Sequence, residues 1–191
     1  MGVRLRSRDQ TAKGGMEHEK FSSSVESTQE QIQGENHDYC FFESRGIVHK
    51  EFVPPGQTVN HAFYKDVLER LRKRVQQVRS DIADSWVLQH DNAPAHTALS
   101  IREFLVKKNI PVLPHPPYSP DLTPCDFYLF PKLKSKLKGH HFWTIENIPK
   151  IVTDELNTLK ENDFQYRYDQ WKKRWNHCVA SQWSYFEGDN L

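Results

Sequence analysis

The stretch His90-Asp91-Asn92-Ala93-Pro94-Ala95-His96 constrains this chain more than any other. A short apolar run, Trp86-Val87-Leu88, stands before it, and Asp, Asn and Pro follow. An apolar run that short, cut off by turn residues, reads as a buried strand that ends abruptly. Asp91 then lies at a strand's C-terminal tip, where open α/β sheets gather their functional groups. A second acidic tip, Asp126, follows the proline-rich loop 114–124, with 34 residues (92–125) between the two carboxylates. Carboxylates brought together from separate elements can hold hard divalent cations.

The remaining patterning is that of a mixed sheet with helices on both sides. Tyr39-Cys40-Phe41-Phe42 and Ile47-Val48-His49-Lys50-Glu51-Phe52 are rich in aromatic and β-branched residues, and Glu43-Ser44-Arg45-Gly46 between them is a turn signal, so a hairpin is expected. Thr58 is a candidate helix cap, with Phe63, Val67, Leu71 and Val75 at helical spacing up to Arg79. Thr97 is a second candidate cap, ahead of the apolar face Ile101, Phe104 and Leu105. The proline in Ile110-Pro111-Val112-Leu113 suits an edge strand. Asp126 opens a helix expected to run to residue 138, and further helices are expected over 145–160 and 164–183.

The formal net charge is +1, so any nucleic-acid footprint has to come from local patches. Candidates are Lys132, Lys134, Lys136 and Lys138, the run Lys172-Lys173-Arg174, and the helix face Arg70, Arg72, Lys73 and Arg74, which composition alone reads equally well as a solvated face. Trp171, Trp175 and Trp183 read as core packing rather than a base-stacking platform. Cys40, Cys125 and Cys178 are odd in number and far apart, which points to a reducing compartment and away from a disulfide framework. No apolar run is long enough for a membrane span, and nothing suggests a small-molecule substrate.

The two Asp stretches occur in order with Phe41-Phe42-Glu43-Ser44-Arg45-Gly46-Ile47-Val48-His49, Phe52-Val53-Pro54-Pro55-Gly56-Gln57-Thr58-Val59-Asn60 and Phe130-Pro131-Lys132-Leu133-Lys134. From about Tyr39 to the C-terminus this set resembles the mariner branch of the mariner/Tc1 transposases. The resemblance implies an RNase H-like α/β fold. It also implies DNA cutting and joining by two-metal in-line phosphoryl transfer with Mg²⁺ or Mn²⁺, a DNA partner, a homodimer and work in the nucleus. Asp91 would be the second and Asp126 the third of three metal-holding carboxylates. Asn92, His96, Lys132, Lys134 and Lys136 are candidate DNA contacts. Read singly, Asp126 is as good a helix cap, His90 and His96 are as good structural hydrogen-bond partners, and Asp121 is a turn residue.

The first carboxylate of such a site belongs on a strand upstream of Tyr39. Residues 1–38 are polar, with few bulky apolar side chains, and read as a disordered or degenerate arm ahead of an incomplete core at 39–191. Two expectations follow: the first strand is missing, and so are the family's end-reading DNA domains. The chain is therefore expected to be an inactive transposase remnant that binds DNA. The alternatives are an active nuclease in which Asp9, Asp38 or Glu43 replaces the lost carboxylate, and a non-enzymatic DNA- or protein-binding module.

Overall fold

A computed structural model of the protein describes residues 24–31, 37–54, 56–117, 119–137 and 148–180. A five-stranded sheet carries the fold, in the order β3-β2-β1-β4-β5. The expected hairpin is β2 (His37–Glu43) and β3 (Gly46–Phe52), antiparallel, with Gly46 supplying the positive φ of 128° at the turn. The helix α1 (His61–Val78) follows. Asn60 caps it rather than Thr58, its side chain accepting from the Phe63 amide at 3.0 Å. Then come β4 (Val87–Gln89), the short α2 (Pro94–Thr97) and α3 (Leu99–Lys107). Thr97 caps nothing: its hydroxyl donates back to the Ala93 carbonyl, and Ala98 stands at the start of α3. Two residues, Val112–Leu113, form β5 at the sheet edge, as the proline beside them requires.

One expectation is overturned. Residues Ser24–Gln31 are not an arm but β1, the central strand of the sheet. It pairs antiparallel with β2 (Glu26 with Phe42, Thr28 with Cys40, Glu30 with Asp38) and parallel with β4 (Ser24 with Val87, Glu26 with Gln89). The sheet is thus not missing its first strand. The strand propensity of Ser-Val-Glu-Ser-Thr-Gln-Glu-Gln is weak, but β2 and β4 both present buried backbone donors and acceptors that need partners. That demand decides the pairing. The rest of the expected arm, residues 1–23 and 32–36, lies outside the described residues, as does Asp9.

Two layers cover the sheet. Tyr39, Phe41, Val48 and Leu88 pack with Tyr64, Val67, Leu68, Leu71 and Val75 of α1 and with Ile101, Phe104 and Leu105 of α3. On the other face, Cys40 and Phe42 pack with Cys125, Tyr128, Leu129 and Leu133, and with residues of α5 (Ile148–Thr158) and α6 (Glu161–Ala180). At the ends that are described, α5 stops at Thr158, two residues short of the expected 160, whereas α6 starts at Glu161, three residues ahead of the expected 164. The chain after Leu137 to 147, and after Ala180 with Trp183, lies outside the described residues. All three cysteines are buried, and none is in a disulfide.

A proline is excluded from the middle of a central strand, where it removes a ladder donor. The variant Thr28→Pro should lose the cooperative thermal transition followed by circular dichroism. A Thr28→Pro protein melting like the wild type would show that β1 does not hold the centre of the sheet.

Candidate active site

The β4 strand stops at Gln89, and the next residues turn sharply because Pro94 opens α2. Asp91 makes that turn with its own side chain. Its Oδ1 accepts from the Ala93 amide at 3.0 Å and from His96 Nδ1 at 2.5 Å. Its side chain is 32% exposed, whereas His96 is only 1% exposed. His90 lies beneath, stacked parallel on His96 at 5.4 Å and hydrogen bonded through Nδ1 to the Tyr64 hydroxyl at 2.8 Å. Burial, with help from the neighbouring His96, pushes the His90 imidazole down to about 3, so it is neutral. Burial raises the Asp91 carboxyl. The His96 bond and charge and the Ala93 amide more than offset this, and the net shift is below the usual carboxylate value.

Asp126 is positioned by backbone instead. Loop 114–124 ends in a 3₁₀ turn, Pro120–Leu122, and the chain then enters a π-helical turn, Cys125–Leu129, before α4 (Phe130–Leu137). The Leu122 carbonyl accepts from Gln89 Nε2 at 3.4 Å and from Trp171 Nε1 at 2.7 Å. The Thr123 carbonyl then accepts the amides of Asp126 and Phe127 at 2.9 and 3.1 Å. Single π turns of this kind concentrate at functional sites. The side chain two residues before Asp91 therefore anchors the loop four residues before Asp126. Both Asp-bearing segments are tied to the end of β4, and the π turn lies against β1.

The other candidates divide. Asn92 is exposed, and its amide donates to the His115 carbonyl at 2.9 Å, so it braces the loop. His96 is not a DNA contact: it is buried and committed to Asp91. Lys132 lies with its Nζ 5.7 Å from the Tyr128 ring centroid, Lys134 is half-buried on α4, and the side chain of Lys136 is outside the described residues. Two members of the Lys172-Lys173-Arg174 run are occupied, Lys172 by Asp169 and Arg174 by Asp121. Arg70, on α1, pairs with Glu51. Trp171 and Trp175 are core, as expected, packed with Leu122 and Cys178. His115 was not legible in sequence: a histidine in a proline loop gives no signal that Gln89 and Asn92 will converge on it.

Glu43 is excluded as a replacement carboxylate. It follows Phe42, the partner of Glu26, and so stands at the N-terminal end of β1, opposite the end where Asp91 lies. It is 4% exposed and held by Arg79 at 2.6 Å and Arg45 at 3.4 Å, which compensate its buried charge. Asp38, paired with Glu30, is at the correct end of the backbone ladder. Continuing the β1–β4 register by two residues brings Thr28 level with Asp91, with Glu26 and Glu30 two positions to either side. Among the described residues no three His, Cys, Asp or Glu side chains converge as a metal-holding group. Asp91 and Asp126 carry oxygen donors of the kind Mg²⁺ and Mn²⁺ take.

Two measurements check this geometry. As pH falls through the ordinary histidine value of 6.5, the unfolded chain protonates His90 while the folded chain does not until about 3. Stability is therefore complete above that range and declines by about 1.4 kcal/mol per pH unit within it. His90→Asn, which keeps a polar partner for Tyr64, should flatten the slope seen in urea denaturation at stepped pH. An unchanged slope would exonerate His90. Separately, His96→Ala leaves a cavity and strips Asp91 of a donor, costing about 2–4 kcal/mol. His96→Asn, whose Nδ2 can stand where Nδ1 stood, should recover much of that; equal losses in both would mean the Asp91 bond contributes nothing.

The DDE superfamily endonuclease family matches residues 47–148, more than half of the chain. The mariner Mos1 transposase of Drosophila mauritiana is 35% identical over 151 residues, 77% of this chain and 44% of that protein. The chain spans less than half the length of the curated relatives it matches. The crystal structure of the Mos1 catalytic domain superposes with a TM-score of 0.80 at 30% identity, covering 87% of this chain and 85% of that one. The Mos1 paired end complex with Mn superposes at 0.79 and 26% identity, over 87% and 57% of the two chains. With its mixed sheet and its two Asp-bearing segments tied to the end of β4, the chain belongs to the DDE superfamily endonucleases and has the RNase H-like catalytic-core fold of a mariner transposase.

Proposed function

We propose that the chain is a DNA-binding mariner-type core that holds Mg²⁺ or Mn²⁺ between Asp91 and Asp126 and cuts DNA far more slowly than a three-carboxylate site. The observation that carries this reading is the preset carboxylate of Asp91: one oxygen is committed to His96 and the Ala93 amide, and the side chain stays part-exposed. A divalent ion bound there supplies Lewis-acid polarisation of a phosphodiester and a deprotonated nucleophile. The chain's own residues supply the setting. His96 holds Asp91 in one rotamer and leaves its second oxygen uncommitted among the described residues. Neutral His90 brings no positive charge to compete with a cation. Asp126 offers an oxygen donor from the start of the π turn. The Mos1 structure named above is a paired end complex, which supports DNA as partner and a second copy of the chain in the assembly; a DNA partner would set the work in the nucleus.

The slow cleavage rests on Thr28, which occupies the β1 position level with Asp91. A site with one carboxylate fewer balances less charge, and several kcal/mol of electrostatic stabilisation correspond to orders of magnitude in rate. A second reading has support from the same register: Glu26 or Glu30, each two positions from Thr28, takes the third ligand place.

Nicking of supercoiled plasmid with Mn²⁺ separates the two. Thr28→Asp should nick at least about 100-fold faster than the wild type, and Asp91→Asn or Asp126→Asn should abolish the gain. A wild type as fast as Thr28→Asp, and silenced by Glu26→Gln or Glu30→Gln, would establish the second reading. Nicking indifferent to Asp91 and Asp126 would end the assignment of the site.

A further inference from the structure

Beside the π turn that carries Asp126, two cations share one aromatic ring. The Arg167 guanidinium of α6 lies 4.3 Å from the Tyr128 ring centroid, and Lys132 Nζ of α4 lies 5.7 Å from the same centroid. Arg167 also lies 5.0 Å from the ring of Tyr166, which is 56% exposed. Other basic groups nearby are neutralised: Lys172 by Asp169 at 2.7 Å and Arg174 by Asp121 at 3.7 Å. Neither Arg167 nor Lys132 pairs with a carboxylate among the described residues. Aromatic faces attract both cations but cancel none of their charge. Arg167, fixed between two rings, presents a planar edge of N–H donors suited to a phosphate, and Lys132 adds a point charge.

From this geometry we infer that Arg167 and Lys132, mounted on Tyr128, form a phosphodiester clamp that grips the DNA backbone along the segment that carries Asp126. Tyr128 is two residues from Asp126 on the same π turn, so the clamp is fixed to the segment that carries the carboxylate, while the two side chains leave the turn in different directions. The inference rests on the DNA-cutting reading for its ligand, but it concerns binding and is tested without cleavage.

The test is fluorescence anisotropy with a labelled random-sequence DNA duplex, titrated with the whole chain at several salt concentrations. Each phosphate contact contributes about one unit to the slope of log affinity against log salt. Arg167→Gln and Lys132→Gln should each lower the slope by about one unit, and the double variant by about two. Lys107→Gln, an exposed charge on α3 across the sheet, should leave it unchanged. Lys132→Gln leaves the Arg167 stack intact, so it carries the test even if Arg167→Gln folds poorly. Slopes in all three variants equal to that of Lys107→Gln would overturn the clamp while leaving the cutting reading untouched. Normal slope changes with no nicking by any variant, Thr28→Asp included, would do the reverse. Failure of the wild type to bind the duplex at low salt would overturn both.

Discussion

The carbonyl oxygen of Leu122 is the point on which the arrangement of the site depends. It accepts from Gln89 of the sheet and from Trp171 of the last described helix, and all three residues are buried. A carbonyl has two lone pairs, and here each has a donor from a different layer. A buried acceptor or donor left alone costs about 1–3 kcal/mol, so neither side can leave without loss. The junction converts a loop of prolines into a fixed strut. From it the chain has only the short 3₁₀ and π turns through which to reach Asp126.

The two carboxylates are prepared by different physics. Asp91 is ordered by side chains: a buried imidazole on one oxygen, an aromatic and histidine layer beneath, and α1 packed behind. Asp126 is ordered by main chain, through the amide and carbonyl bonds of the π turn. A side-chain bond fixes a rotamer, whereas a helical turn fixes the origin of the side chain. An ion between them would meet one ligand whose rotamer is set by a side-chain bond and one whose origin is set by its turn.

What could be read in the sequence was what local chemistry dictates. The hairpin follows from two aromatic runs around a glycine turn, α1 from its apolar period, and the Asp91 tip from an apolar run ended by turn residues. The helix caps went to Asn60 and Ala98 rather than Thr58 and Thr97, because shifts of one or two residues in helix entry are settled by packing. The central strand was illegible for a stronger reason. Its residues are those of a solvated arm, and only the unmet backbone bonds of two distant strands recruit them. Glu43 looked well placed by chain position, but antiparallel pairing carries it to the far end of the sheet. His115 and Arg167 act through partners far along the chain, which no window of sequence contains.

The polar central strand has a consequence for how the molecule is made. Pairing of β1 with β2 closes a short loop and can form early, whereas pairing of β1 with β4 must wait until the hairpin and α1 have been laid down between them. Long loops and parallel ladders form slowly, and β1 brings little apolar surface of its own to hasten the step. The β1–β4 seam is then the last part of the sheet to close and the first to open, the low-stability unit that hydrogen exchange would detect. That seam lies beside Asp91. Site assembly and completion of the fold are therefore one late event, and a chain caught before it has its hairpin and α1 but no place for a cation.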